Sequence, residues 1–335
     1  MSTAVRPRRT WGTASFESLL GFRPSGAVGA GGLAYALTGP AGAPVVLVLG
    51  GISAHRDPSD ALGEGVGWWP EIVRPGGAID LDSCRVLSID YLGGRGESAR
   101  AATDEGGGVR CVTTVDQAHA IAGLFDLLAI DGPVDVVGAS YGGMVAMQLA
   151  ALHPEHVRHL LVISAAHRTH PMATALRSVQ RAVLRLAGGA GFPETGVQIA
   201  RGLGIATYRT REEFDGRFDV DADWSSGSPR FPVEEYLTHV GRRDAEVLAP
   251  DALYCLSASA DAHALAPEAL RRPTTAVAVV EDTLVPPELL HELAARHGGS
   301  CRLIEVHSRY GHDAFLKETG LVSEVVTCFL SEVDR

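Results

Sequence analysis

The sequence predicts an α/β protein built on an open, mostly parallel, doubly wound sheet. Short runs of apolar, β-branched residues recur along its 335 residues, and each run ends in Gly, Ser or Asp. Continuous apolar runs are typical of strands buried on both faces of a parallel sheet. Helical patterns lie between them, and this alternation implies that crossover helices cover the sheet. The six predicted strands are Val45–Leu49, Arg85–Ile89, Val134–Gly138, Leu160–Ser164, Thr275–Val280 and Arg302–Val306.

Four helices are predicted in the same part of the fold. The first follows Thr114, which with Gln117 resembles a capping box. The second runs from Met144 to Leu152, the third from Pro287 to about His297, and the fourth closes the chain. The apolar face of the first helix carries Ile121, Leu124, Phe125 and Leu128, and that of the last carries Val325 and Phe329.

The stretch from Ala165 to His263 breaks the strand–helix alternation. It begins helical, from Met172 to Leu186, becomes Gly-rich and charged between Arg209 and Pro232, and is then helical again. We therefore predict an α/β core formed by residues 1–164 and 264–335, with residues 165–263 inserted as a helical lid.

Composition excludes several classes of function. The net charge is −11 and the pI about 5.6, whereas nucleic acids and anionic membranes require a basic face. The five cysteines are scattered without a CxxC pair, which argues against a disulfide framework or a zinc–thiolate site. We expect a cytoplasmic enzyme that binds no metal, nucleic acid or membrane.

A serine lies on a Gly-rich turn between the strand Val134–Gly138 and the following helix. The segment Gly138-Ala139-Ser140-Tyr141-Gly142-Gly143 matches the G-x-S-x-G nucleophile elbow in the strand–turn–helix context that this motif requires. Glycines are needed there because the helix crosses close to the strand. The sequence therefore predicts Ser140 as a nucleophile.

A serine hydroxyl needs a histidine to take its proton and a carboxylate to orient that histidine. Asp282 follows the strand Thr275–Val280, and His312 follows Arg302–Val306 in a Gly-flanked turn. Both lie where active sites of open α/β sheets assemble, at the carboxyl ends of strands. Glu281 is adjacent to Asp282, and the sequence pattern leaves either acid open for this role.

Acyl transfer also requires donors for a developing oxyanion. One is normally the N–H of the residue after the nucleophile, here Tyr141, and the other comes from an early strand–loop junction. Gly50-Gly51-Ile52-Ser53 follows the strand Val45–Leu49 and fits that junction, so we predict the Ile52 N–H as the second donor.

Together with further motifs, these residues resemble the homoserine O-acyltransferases of the α/β-hydrolase superfamily, the MetX-type enzymes of methionine biosynthesis. The motifs that carry the resemblance are Gly138–Met144, Gly67-Trp68-Trp69, Thr207-Tyr208-Arg209, Glu281-Asp282 with Val285-Pro286-Pro287, and Tyr310–Leu316 with the sequence YGHDAFL. The resemblance implies an α/β-hydrolase fold, Ser140, Asp282 and His312 as the triad, Arg209 and Asp313 as contacts to the amino acid acceptor, and a homodimer. It implies no cofactor, since acyl-CoA is a co-substrate, with L-homoserine as acceptor.

Two segments resemble the branch regarded as homoserine O-succinyltransferases: Gly50–Ala54, with the sequence GGISA, and Arg177–Arg181, with the sequence RSVQR. The distal carboxylate of a succinyl group needs a cation, because burying it unpaired costs about 3 kcal/mol or more. Arg177 is the candidate for that contact. Acetyl-CoA as donor, L-serine as acceptor, and an esterase that uses water remain alternatives.

Overall fold

The computed structural model describes residues 9–19, 22, 25–61 and 67–333. The strands in these residues are β1 (Arg9–Ser15), β2 (Gly32–Thr38), β3 (Val45–Leu49), β4 (Val73–Arg74), β5 (Ile79–Asp80), β6 (Arg85–Ile89), β7 (Val134–Ala139), β8 (Val157–Ile163), β9 (Thr274–Val279) and β10 (Cys301–Val306). Eight of them form one sheet of order β1-β2-β6-β3-β7-β8-β9-β10, and β4 pairs with β5 in a separate small sheet.

The main sheet is parallel from β6 to β10, whereas β2 runs antiparallel to both β1 and β6. The predicted mostly parallel sheet is therefore confirmed, and β1 and β2 are additions. Neither has the apolar, β-branched run used for prediction. β1 (RTWGTAS) is a half-exposed edge strand, and the apolar run of β2 (GLAYALT) has no β-branched residue before its final Thr. β8 begins at Val157, before the predicted Leu160, because the polar Arg158 and His159 both bind Asp135 on β7.

Side chains alternate between the two faces of the sheet, and each face has its own apolar core. The helices are α1 (Thr114–Leu127), α2 (Tyr141–Leu152), α3 (Pro171–Gly189), α4 (Pro193–Tyr208), α5 (Arg211–Phe218), α6 (Pro232–Ala245), α7 (Pro250–Ala262), α8 (Pro287–Arg296), α9 (Ala314–Lys317) and α10 (Thr319–Val333). On one face, Leu47, Val136 and Leu160 pack with α1, α2 and α8. On the other face, Val48, Val137 and Leu161 pack with α10. The sheet is thus doubly wound, and no helix in the described residues is long and apolar enough to cross a membrane.

Helices α3 to α7 follow one another between β8 and β9, and we call them the helical insertion. Within it, α4 packs against α3, α6 and α7. The chain enters and leaves the helical insertion at neighbouring points. There the Leu265 N–H donates to the His167 carbonyl at 2.9 Å, and Arg168 forms an isolated antiparallel β-bridge with Ala264. The charged stretch predicted as irregular contains α5, whose N-cap Thr210 accepts a hydrogen bond from the Glu213 N–H.

The capping box of α1 differs from the predicted one by one residue. Thr113, not Thr114, is the N-cap: its hydroxyl accepts from the Asp116 N–H, and the Asp116 carboxylate accepts from the Thr113 N–H. Thr114 instead contacts His263 at 3.0 Å, and Gln117 is buried and bonds both backbone groups of Leu92. The predicted capping box was therefore wrong by one residue, because Thr113 with Asp116 and Thr114 with Gln117 have the same spacing in the sequence.

We expect Thr113→Ala to lower the free energy of unfolding by about 1 kcal/mol, because the N-cap hydrogen bond is lost. Urea denaturation of the two proteins measures this difference. Thr113→Ser keeps the hydroxyl and serves as the control. An equal loss in both variants would contradict the assignment of Thr113 as the cap.

Candidate active site

Ser140 lies at the junction of β7 and α2 with a strained backbone. Its φ is 52° and its ψ −123°, a region that non-glycine residues rarely adopt. A Cβ at Gly142 would lie 2.2 Å from the Leu49 carbonyl oxygen, and one at Gly138 would lie 2.7 Å from the Gly142 carbonyl oxygen. Both glycines of the motif are therefore required sterically. α2 begins at Tyr141 rather than at the predicted Met144, so the intervening glycines are helical despite their low propensity.

A continuous hydrogen-bonded chain joins Ser140, His312 and Asp282. The Ser140 Oγ lies 2.8 Å from His312 Nε2, and His312 Nδ1 lies 2.7 Å from Asp282 Oδ2. Since a carboxylate only accepts, Nδ1–H donates to Asp282, and Nε2 is left to accept the Ser140 proton. The other Asp282 oxygen accepts the N–H groups of Leu284 and Val285 at 2.9 and 3.0 Å, which fix the carboxylate. This arrangement orients the imidazole to remove a proton from the serine hydroxyl.

Glu281, the acid that the sequence left open, faces away from this chain. Its carboxylate contacts His307 Nδ1 at 2.7 Å and accepts the Ser308 N–H at 2.9 Å. Asp282 is fully buried beside His312, whereas Glu281 is one-third exposed. The geometry therefore selects Asp282 over Glu281 as the partner of the histidine.

The pKa of His312 is raised above its usual value near 6.5. Burial by itself lowers the pKa, but the charge and hydrogen bond of Asp282, with a contribution from Asp313, outweigh it. The Arg177 charge opposes protonation of the imidazole. His312 is thus prepared both to accept a proton and to stabilise the imidazolium that results.

Ile52 and Tyr141, the residues whose N–H groups are the predicted oxyanion donors, line the same cavity as Ser140. Tyr141 is the first residue of α2, so its N–H has no partner within the helix. The loop that carries Ile52 is close to the serine, because a Cβ at Gly51 would lie 3.9 Å from the Ser140 Cβ. The Tyr141 phenol is directed elsewhere and contacts Ser259 Oγ at 2.8 Å. The backbone geometry is therefore compatible with an oxyanion hole.

The cavity above Ser140 has a volume of about 370 Å³ and is lined by both the core and the helical insertion. Trp68 forms part of its wall. Trp69 stacks beneath Trp68, is 2% exposed and donates its indole N–H to the Phe315 carbonyl, so its role is packing. Trp68 therefore belongs to the cavity wall, and Trp69 to the packing beneath it.

Arg209 and Asp313 both line the cavity, and they are paired with each other. Arg209 Nε donates to Asp313 Oδ2 at 2.8 Å, and its Nη1 donates to Glu213 Oε1 at 2.9 Å. The resemblance assigns these residues to opposite ends of one amino acid, whereas here the ion pair joins the insertion to the turn that carries His312. A cation and a carboxylate side by side still offer both contacts that a zwitterion requires.

Arg177 also lines the cavity, and it too is paired. Its Nε donates to Asp261 Oδ1 at 2.7 Å, and Arg181 Nη1 donates to the other oxygen of the same carboxylate at 2.6 Å. One carboxylate therefore serves two guanidinium groups, which leaves a net positive charge at this wall.

Sequence reasoning did not single out three further cations of the cavity wall, Arg201, Arg243 and Lys317. Arg201 is 6% exposed and donates to Asp244 at 2.7 Å, and its guanidinium lies 5.7 Å from the Tyr208 ring centroid. Nothing local marks these residues, because α4, α6 and α9 approach each other only in the folded chain. Among the described residues, no three His, Cys, Asp or Glu side chains are placed to hold a metal ion.

Comparison with known proteins places the chain in a family. The α/β-hydrolase-fold model matches residues 44–319. Homoserine O-succinyltransferase of Xanthomonas campestris pv. campestris is 39% identical over 89% of this chain and 78% of its own length. Serine O-succinyltransferase of Stenotrophomonas maltophilia is 33% identical over 92% of this chain and 94% of its own. The chain belongs to the homoserine O-acyltransferase family of the α/β-hydrolase fold. It is an acyltransferase.

Solved structures confirm the fold of this acyltransferase. Homoserine O-acetyltransferase from Bacillus anthracis has a TM-score of 0.81 at 17% identity and covers 98% of both chains. Esterase E22 has a TM-score of 0.80 at 16% identity, over 97% of this chain and 100% of its own. At such identities the likeness concerns the fold alone.

We expect Asp282→Asn to reduce kcat about 10⁴-fold, as neutralising an orienting carboxylate does, while the fold is retained by circular dichroism. The raised pKa of His312 places the acidic limb of the pH–rate profile above pH 6.5, since the neutral imidazole is the base. Without the Asp282 charge, burial dominates and the pKa of His312 falls. The acidic limb of the pH–rate profile, measured on the residual activity of Asp282→Asn, should therefore move to lower pH.

Glu281→Gln is the matched control, because it removes the adjacent carboxylate without touching His312. We expect its rate and pH profile to be those of the wild type. Greater damage from Glu281→Gln than from Asp282→Asn would reject the assignment of the acid.

Proposed function

We propose that this acyltransferase moves an acyl group from acyl-CoA to the side-chain hydroxyl of L-homoserine, with succinyl-CoA as the favoured donor. The observation that carries the proposal is the hydrogen-bonded chain Ser140–His312–Asp282 at the base of a cavity that the helical insertion covers. The 39% identical homoserine O-succinyltransferase supports the choice of acceptor and donor.

The first half-reaction acylates the serine. His312 Nε2 takes the proton from Ser140 Oγ, which attacks the thioester carbonyl, and the N–H groups of Ile52 and Tyr141 stabilise the tetrahedral oxyanion. The carbon–sulfur bond breaks, and CoA leaves as a thiol after protonation by His312. A seryl ester of the acyl group remains.

The second half-reaction transfers the acyl group to the acceptor. The homoserine hydroxyl loses its proton to His312 and attacks the ester, and Ser140 regains its proton as the O-acyl product forms. Arg209 binds the carboxylate of homoserine through a charge-assisted hydrogen bond, and Asp313 binds its ammonium group. Both contacts replace the Arg209–Asp313 pair with pairs of the same type, so neither side chain is left buried and uncompensated.

Water competes with the acceptor for the acyl-enzyme, and an esterase of this fold uses it. Enclosure by the insertion supports transfer over hydrolysis, since side reactions are suppressed where water is excluded. Tyr208 contributes to that enclosure, with its ring centroid 5.7 Å from that of His312.

The net positive charge at Arg177 supports a donor that ends in a carboxylate. A guanidinium matches a carboxylate with two parallel hydrogen bonds, which suits succinyl rather than acetyl. The resemblance further predicts a homodimer and a role in methionine biosynthesis, and the composition predicts a cytoplasmic location.

A thiol-release assay that crosses acetyl- or succinyl-CoA with homoserine or serine tests the proposal directly. We expect the highest kcat/KM with succinyl-CoA and homoserine, and little thiol release without an acceptor after the first turnover. Intact-mass analysis with succinyl-CoA alone should find one acyl group on Ser140 and none in Ser140→Ala. Acceptor-independent multiple turnover would identify an esterase, and an adduct elsewhere would reject the mechanism.

We expect Arg177→Ala to lose at least tenfold in the preference for succinyl-CoA over acetyl-CoA while acetyl transfer is retained. The ratio of the two kcat/KM values measures this preference. Arg185→Ala is the control, because Arg185 lies on the same helix but is exposed and bonds Tyr254. An unchanged ratio in Arg177→Ala would remove Arg177 from donor recognition.

A further inference from the structure

Lys317 is the single lysine of the chain, in which Lys and Arg together number 29. It ends α9, the short helix that directly follows the turn carrying His312. Lys317 lines the same cavity as Ser140 and is exposed to solvent. The proposed reaction steps do not use it.

The cations of the cavity wall divide into two groups by their partners. The inner group comprises three arginines, each held by a carboxylate: Arg177 by Asp261, Arg201 by Asp244 and Arg209 by Asp313. These side chains are at most 15% exposed. The charges of Arg201 and Arg209 are therefore largely neutralised inside the protein, whereas Arg177 shares Asp261 with Arg181.

The outer group comprises Arg243 on α6 and Lys317 on α9. The Arg243 side chain is 69% exposed, and its nearest acid is Asp244 at 3.6 Å, a carboxylate that already holds Arg201 at 2.7 Å. Lys317 has no ion pair within 4.0 Å anywhere in the described residues. The neighbouring Glu318 is engaged by the Ser308 hydroxyl at 2.8 Å. Two uncompensated cations thus line the solvent-facing part of the cavity, one from the insertion and one from the core.

We propose that Lys317 and Arg243 form a phosphate-binding subsite that holds the diphosphate and 3′-phosphate groups of acyl-CoA at the open part of the cavity. The inference rests on the proposed function, which brings the uncharged thioester end to Ser140. The remaining charge of the donor then lies where the wall offers unpaired cations. An ammonium binds phosphate as a point charge, and a guanidinium binds it with two donors.

Electrostatics favours the same placement. A protein of net charge −11 repels a polyanionic donor at long range. Uncompensated cations at the cavity provide a local attraction that acts within about one Debye length, ~8 Å at physiological ionic strength. Binding of acyl-CoA should therefore weaken as salt concentration rises, whereas binding of an uncharged thioester should not.

Because the chain has a single lysine, amine-specific labelling reports on one side chain. Trinitrobenzenesulfonate should label Lys317, as identified by peptide mass spectrometry. We expect CoA to slow that labelling at least fivefold and pantetheine, which lacks the phosphates, to have no effect. Equal protection by both compounds, or protection by neither, would overturn the subsite without any need for turnover.

Kinetics with two thioesters provides the second test. With acyl-CoA, Lys317→Ala and Arg243→Ala should each raise KM about five- to tenfold with kcat unchanged, and Lys317→Arg should restore most of the loss. With the acyl thioester of N-acetylcysteamine, none of these variants should differ from wild type. Arg242→Ala, an exposed neighbour of Arg243 outside the cavity wall, should leave both substrates unaffected.

The two proposals fail in different ways. Wild type that turns over both thioesters with equal KM, or variants that impair both alike, would overturn the phosphate subsite and leave acyl transfer standing. Wild type that transfers an acyl group from neither thioester would overturn the proposed function, and the labelling experiment with CoA would still decide the subsite.

Discussion

The close approach of α2 to the strands beneath it is the constraint on which the site depends. Gly142 lies against the carbonyl oxygens of Leu49 and Gly50, at distances that leave no room for a Cβ. This contact brings the N-terminus of α2 up to the loop after β3, so that Tyr141 and Ile52 line one cavity. It also forces the chain through the strained turn that exposes Ser140. The strain at Ser140, its position and the placement of the predicted oxyanion donors thus have a common physical origin.

The helical insertion completes the site by contacting the histidine turn. Gly311 has a φ of +54°, and a Cβ there would lie 2.9 Å from the Tyr208 carbonyl oxygen at the end of α4. The adjacent Arg209–Asp313 ion pair crosses the same boundary and is at most 10% exposed. Removing one member of such a pair leaves an uncompensated buried charge, which destabilises more than the pair itself stabilises. The acceptor contacts proposed for Arg209 and Asp313 are therefore coupled to the position of His312.

Sequence patterns predicted those parts of the structure that local chemistry determines. The six parallel strands and the serine turn follow from short apolar runs and glycine spacing, which need no knowledge of distant residues. The α1 cap was misplaced because Thr113 with Asp116 and Thr114 with Gln117 fit one template, and only tertiary contacts separate them. The choice between Asp282 and Glu281 likewise required the fold.

Pairings across long sequence separations were not predictable in the same way. Arg177 and Asp261 are 84 residues apart, and Arg209 and Asp313 are 104 apart. The sequence and the resemblance indicated three of these four residues but not which side chains form ion pairs. No motif or resemblance indicated Asp261. Pairing decides which charges are available to a ligand. It distinguishes an arginine already satisfied inside the protein from one that still requires an anion.

The distribution of ion pairs across the cavity suits the two differently charged substrates proposed for it. At the Arg209–Asp313 pair a cation and a carboxylate are matched, so an amino acid zwitterion would exchange with this ion pair at little net electrostatic cost. Towards solvent, Arg243 and Lys317 exceed the acids around them, and this excess favours a polyanion. A donor with its charge at one end and its reactive thioester at the other would be oriented by that gradient alone. A donor that is oriented before it contacts Ser140 loses less entropy in reaching the reactive geometry. Such orientation requires only that the charges be ordered along the cavity.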